Sequence, residues 1–219
     1  MPLSGKGMLI TLMDADPAEE RDFNQWYDKE HIIERVSIPG FLEARRYVAV
    51  TGEPKYLNFY TTETLEVLRS AAYFERLQNP TAWTRRTMAK FRNFTRAVAR
   101  VSASRGQGRG GALAFSRIRP SGGDKSELRK AITTQLDAAL DQVISAHLLQ
   151  SDPELSKPAG ASAPDAGSAD WYVVVEGTDE KSVRQLAEQR FGQKARLPGA
   201  EVISFGTYRL LWDLAKAEL

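Results

Sequence analysis

The order of predicted elements constrains this chain most, because a β-α-β-β-α-β succession occurs in it twice. In the first pass residues 7–13 form an apolar strand. Asp16 and Pro17 then open a helix that runs to about Val36, and Pro39-Gly40 ends it. Strands over 41–50 and 56–61 join across Gly52-Glu53-Pro54 as a hairpin. A helix over 63–77, broken at Asn79-Pro80, continues over 82–94 and leads into a strand over 96–102. In the second pass strands at 112–118, 143–149, 171–176 and 202–211 surround helices over 126–142 and 180–191.

That order is the ferredoxin-like motif, and its recurrence predicts an internal duplication. The expected fold is α+β, two tandem ferredoxin-like βαββαβ repeats forming an intramolecular, pseudo-dimeric α/β barrel. The expected boundaries are 1–104 for the first repeat, 105–111 for a Gly/Arg-rich linker and 112–219 for a divergent second repeat. A sheet with both helices on one side leaves its other face open, so two copies are expected to close their open faces together. On the strand over 56–61, Leu57 and Phe59 point one way and Tyr56, Asn58 and Tyr60 the other. The second set, aromatic and partly polar, is assigned to a pocket enclosed between the sheets. Residues 150–170, rich in Pro, Ala, Gly and Ser, read as a flexible insertion, either a plain surface loop or a lid.

Composition narrows the function classes. Thirty basic residues face 28 acidic ones, so no overall field recruits nucleic acid or an anionic membrane. Absence of cysteine removes thiol nucleophiles, thiolate metal sites and disulfides, which suits a cytoplasmic location. The apolar run near the start is interrupted by Asp14 and is too short for a signal core or a membrane span. The expected partner is a small molecule, with a homodimer expected from exposed strand edges.

The strings WYDKEHIIER (26–35), IPGF (38–41), ARRY (44–47) and GEPKYLNFY (52–60) resemble the EthD-like branch of the dimeric α/β-barrel superfamily. The resemblance covers roughly residues 7–102; the second half matches by element order only. It implies a barrel of two ferredoxin-like units, here within one chain. It also implies a family range of cofactor-free dehydratases, cyclases, decarboxylases, isomerases and monooxygenases on aromatic or polyketide-like molecules, besides haem enzymes and proteins without known activity. Fold alone does not choose among them.

His31 is the candidate general acid/base, since imidazole titrates nearest neutrality. Tyr27 lies one turn before it and Glu30 and Glu34 flank it; a purely packed histidine is the competing reading. The second half has no equivalent, so any site is asymmetric. Arg45 shares a strand face with Tyr47, and these with Tyr56, Asn58, Tyr60 and Trp83 are the candidate substrate-binding residues, the arginine for an anionic oxygen and the tyrosines for a carbonyl or phenol. Interior hydroxyls bonded to one another would be the bland alternative for the tyrosines. His147 reads as a satisfied strand histidine. With two histidines, no cysteine and no HxH or HxxxH, no metal or cofactor is expected; haem on His31 would have no other support in the chain. The expected function is therefore lyase-, isomerase- or cyclase-type acid-base chemistry, with a non-catalytic ligand-binding or oligomerisation module as the rival.

Overall fold

Two unusually long strands close the sheet. The computed structural model describes residues 3–122, 124–157 and 161–219. Its first half runs β1 (Gly7–Asp14), α1 (Glu20–Trp26), a π-helical turn (Tyr27–His31), α2 (Ile32–Val36), β2 (Phe41–Thr51), β3 (Tyr56–Thr62), α3 (Ala71–Gln78), α4 (Ala82–Met88) and β4 (Arg92–Gly106). The second half runs β5 (Ala112–Pro120), α5 (Lys125–Asp137), β6 (Ser145–Ser151), α6 (Pro153–Ser156), β7 (Trp171–Gly177), α7 (Glu180–Phe191) and β8 (Ala200–Ala215).

The strands form a closed barrel in the order β1-β3-β2-β8-β5-β7-β6-β4, every neighbouring pair antiparallel. β4 pairs with β1 through residues 92–100 and with β6 through 99–106, while β8 pairs with β5 through 200–209 and with β2 through 207–215. Sequence reading placed these strands at 96–102 and 202–211; the extra residues at both ends are what carry the sheet around. β4 accordingly takes Arg105 and Gly106 from the expected linker. Closure leaves no free edge among the described strands, which withdraws the edge-based ground for a homodimer.

Alternation in the strands builds three cores. Met8, Ile10, Leu12, Leu57, Phe59, Leu113, Phe115, Tyr172 and Val174 fill the lumen, where Phe115 stacks on Tyr172 at 5.2 Å. Outward-facing residues of β1–β4 pack beneath α1 and α2, and those of β5–β8 beneath α5 and α7. The expected pocket between the sheets is therefore not there. Leu57 and Phe59 face the lumen, whereas Tyr56 and Tyr60 belong to the helix-covered core. Both faces of β3 are buried, so the parity was legible and the direction was not.

The insertion expected over 150–170 is anchored at both ends. The Asp152 side chain accepts from Leu155 N–H and caps α6, and Ser156 Oγ accepts from Val98 N–H (2.9 Å) and donates to Val98 C=O (3.0 Å). Fully buried Asp170 accepts from Arg117 (2.5 Å) and Arg119 (2.8 and 3.0 Å). Hydrogen bonds replace the apolar burial that the composition lacks. Residues 158–160 of the expected insertion lie outside the described residues. No described helix is long and apolar enough to cross a membrane.

Candidate functional site beneath the first helix

The helical stretch over 20–36 is continuous but changes pitch in its middle. At the π turn the Ile32 N–H bonds to Tyr27 C=O, five residues back, which inserts one extra residue into the ladder. Phe23, Trp26, Tyr27, His31, Ile32, Arg35 and Val36 are all buried. Gly40, with φ +83°, then turns the chain into β2; a Cβ there would meet the Val67 side chain at 2.5 Å.

Groups with unmet hydrogen-bonding capacity sit in this layer. His31, 8% exposed, lies 4.2 Å from Trp26, 5.2 Å from Tyr27 and 6.2 Å from Tyr60, ring centre to ring centre. His31 Nδ1, Tyr60 Oη, Asn58 Oδ1 and Arg35 Nη1 are buried with no hydrogen-bond partner. Tyr27 Oη donates to Met13 Sδ (3.3 Å) and accepts from Asn58 Nδ2 (3.3 Å). Asn58 Nδ2 also reaches Thr11 Oγ1 at 3.2 Å. Arg46 lies 4.2 Å above the Tyr27 ring, with its Nη1 on Asp28 (2.6 Å) and its Nη2 on Asn24 (2.9 Å).

Burial dominates the protonation states here. It holds the His31 imidazole well below its ordinary value, and the nearby Arg35 and Arg46 charges push the same way. It raises Tyr27 to about 12 against the opposing pull of Arg46, and raises Tyr60 well above the usual phenol value, with the Tyr27 hydroxyl adding to the shift. The ligand-free layer at neutral pH thus holds a neutral imidazole and two neutral phenols beside two guanidinium groups. An anion entering beside His31 would raise its basicity.

The structure separates the other candidates from this cluster. β2 and β3 pair Tyr47 with Leu57 and Arg45 with Phe59, so Arg45 and Tyr47 face the lumen while Tyr56, Asn58 and Tyr60 face the helix layer. The expected pairing of Tyr47 with Tyr56 or Tyr60 on a ligand fails for that reason. Arg45 is already engaged, its Nη1 lying 3.0 and 3.1 Å from the two carboxylate oxygens of Glu176. Glu43, held by Arg109, and His147 complete this buried group at one barrel mouth. His147 Nδ1 meets Ser104 Oγ at 2.9 Å, and burial followed by the Arg45 charge lowers its pKa to about 3. Tyr56 Oη donates to Glu20 (2.6 Å) and accepts from Asn24 (3.1 Å), and Trp83 Nε1 donates to Asp22, so neither is free for a ligand. Glu30 accepts from Thr81 (2.5 Å) and Thr84 (3.1 Å) instead of orienting His31. Arg35 was not among the sequence candidates. Its spacing of four residues from His31 was the available signal.

No family model matches the sequence, and no curated protein does. Among solved structures the chain is similar to an anthrone oxidase-like protein, with 13% identity, 97% of this chain and 94% of the other covered, and a TM-score of 0.63. It is also similar to a putative monooxygenase of Fusobacterium nucleatum subsp. nucleatum (9% identity, 98% and 96% covered, TM-score 0.58). A third is a heme-binding protein from Thermus thermophilus (12%, 95% and 92%, TM-score 0.52). Identities this low speak to the fold alone, a closed eight-stranded α/β barrel that these structures share. A haem macrocycle does not fit against His31, which is 8% exposed and enclosed by Trp26, Tyr27 and Tyr60 with ring centres 4.2, 5.2 and 6.2 Å away, leaving no room beside the imidazole for a plane of that width.

Proposed function

We propose that the layer between the first helix and β3 is a small-molecule site in which His31 acts as general acid/base, with Tyr27, Asn58 and Tyr60 contacting the ligand. The reaction assigned is lyase-, isomerase- or cyclase-type proton transfer on an aromatic or polyketide-like molecule, performed by the chain's own side chains. One observation carries the reading: His31 Nδ1, Tyr60 Oη, Asn58 Oδ1 and Arg35 Nη1 are buried together without partners behind a π-helical turn. Each such atom costs roughly 1–3 kcal/mol when unpaired, a penalty that a polar ligand relieves. Functional sites are where folds tolerate it.

The finer family reading belongs here too. The EthD-like strings fall on the helix, turn and hairpin that build this layer. A tandem duplication is supported by the strand order, which maps onto itself when β1–β4 are exchanged with β5–β8. The cytoplasmic setting rests on the absence of cysteine.

A second reading, a non-catalytic binding module of the same fold, is favoured by the filled lumen and by the tight packing of His31 on Trp26. Incubating the protein with a pooled metabolite extract, and following both bound and consumed species by mass spectrometry, separates the two. Wild type should consume a species that His31→Gln retains without consuming. Retention without consumption by both proteins would assign the binding module, and retention of nothing would remove the site.

A further inference from the structure

Three arginines in the described structure are buried, and two of them have carboxylate partners: Arg45 has Glu176 and Arg46 has Asp28. Arg35, only 5% exposed, forms no ion pair among the described residues, and its Nη1 has no hydrogen-bond partner. Of the two carboxylates nearest in sequence, Glu34 lies 4.0 Å from Arg76 and feels the Arg35 charge without forming an ion pair with it, and Glu30 is held on the Thr81 and Thr84 hydroxyls. Four residues separate Arg35 from His31, so the guanidinium shares the helix face that carries the imidazole.

A mostly buried guanidinium with an unpartnered nitrogen and no carboxylate at ion-pair distance is costly for a fold to hold. Its charge bears on a buried phenol, Tyr60, and on the neutral imidazole of His31, whose Oη and Nδ1 are both unpaired. The group is short of negative charge and rich in donors. The side chains that enclose the imidazole are the aromatic rings of Trp26, Tyr27 and Tyr60, at 4.2, 5.2 and 6.2 Å. We propose that the ligand of this layer is a monoanion with a flat body, whose oxyanion, a carboxylate or an ionised hydroxyl, is bound by Arg35. This rests on the layer being a ligand site and adds the charge of what it binds. Arg35 would thereby take the part that sequence reading gave to Arg45, whose charge is already matched inside the barrel. An oxyanion held there would also raise the basicity of His31, so that binding readies the base.

Benzoate and benzamide, equal in shape and different in charge, serve as probes. The readout is the Trp26 indole resonance in the ¹⁵N spectrum, because that N–H is fixed on Thr84 Oγ1 at 3.0 Å and the ring abuts His31. Benzoate should shift this resonance, with affinity falling about tenfold in Arg35→Met and less in Arg35→Lys, which keeps a charge. Benzamide should bind wild type about tenfold more weakly than benzoate and should not distinguish Arg35→Met. Equal benzoate affinity in wild type and Arg35→Met, or equal affinity of the two probes for wild type, would overturn the role of Arg35 and leave the layer a ligand site. No Trp26 response to either probe would overturn both. Removing the charge is expected to stabilise the fold, and the Arg35→Lys arm stands if the Met variant does not fold.

Discussion

Replacing Arg35 by Met should make the ligand-free protein more stable, an outcome few buried positions would give. Met keeps the apolar stem that packs in α2 and discards a guanidinium whose Nη1 is buried without a partner. Leaving one buried polar group unpaired costs about 1–3 kcal/mol, and a charged one lies at the upper end or beyond. Removing it should return about that amount. For a chain of this size 1 kcal/mol moves the thermal midpoint by roughly 2–4 °C, so the rise should be roughly 2–12 °C. Urea unfolding at pH 7.5 should show the same gain as a higher midpoint with an unchanged slope. Arg35→Lys, which keeps the charge, should not show it. A lowered midpoint in Arg35→Met would refute the reasoning, because it would mean the guanidinium already has a partner in the free protein.

Other perturbations test the rest of the account. His147 and His31 both have lowered pKa values in the fold, so the unfolded chain takes up protons near pH 6.5 where the folded one does not. Stability should be flat above about pH 7 and fall as pH drops. With His147 titrating only at about 3, its share between pH 6.5 and 5 is about 2 kcal/mol; urea titrations of His147→Asn should lack that share. Arg45→Met should strand Glu176 inside the barrel and cost about 3–5 kcal/mol, while the double variant with Glu176→Gln should recover most of it in a double-mutant cycle. Ser156→Ala should cost about 1–3 kcal/mol by leaving the Val98 N–H unpaired, while the Val98 C=O keeps the Asp152 N–H at 2.8 Å. It should also speed limited proteolysis within residues 150–170; unchanged cleavage would mean that this serine does not anchor the segment.

Much of the architecture was legible because it is local. Turn residues and apolar periodicity gave the element order, and alternation correctly put Arg45 with Tyr47 and Tyr56 with Tyr60. What alternation cannot give is which face turns inward when both are covered, so the β3 tyrosines were assigned to the lumen and lie beneath the helices. Strand length was equally illegible. β4 and β8 are extended by polar residues such as Arg92, Thr95, Glu201 and Asp213, whose pairing is decided by the distant strand they meet. Arg45 looked free because its partner stands 131 residues away. Arg35 was not singled out, because its four-residue spacing from His31 says nothing of burial, which the structure supplies.

A crystal structure of the protein with benzoate bound is the most direct test of where it takes a ligand. Density bounded by His31, Arg35 and Tyr60, with α2 or the Trp26 ring displaced to admit it, is the expected result. Density in the barrel lumen, or in the cleft lined by Glu127 and Lys130 of α5 and Arg190 of α7, with the first helical layer unchanged, would contradict it.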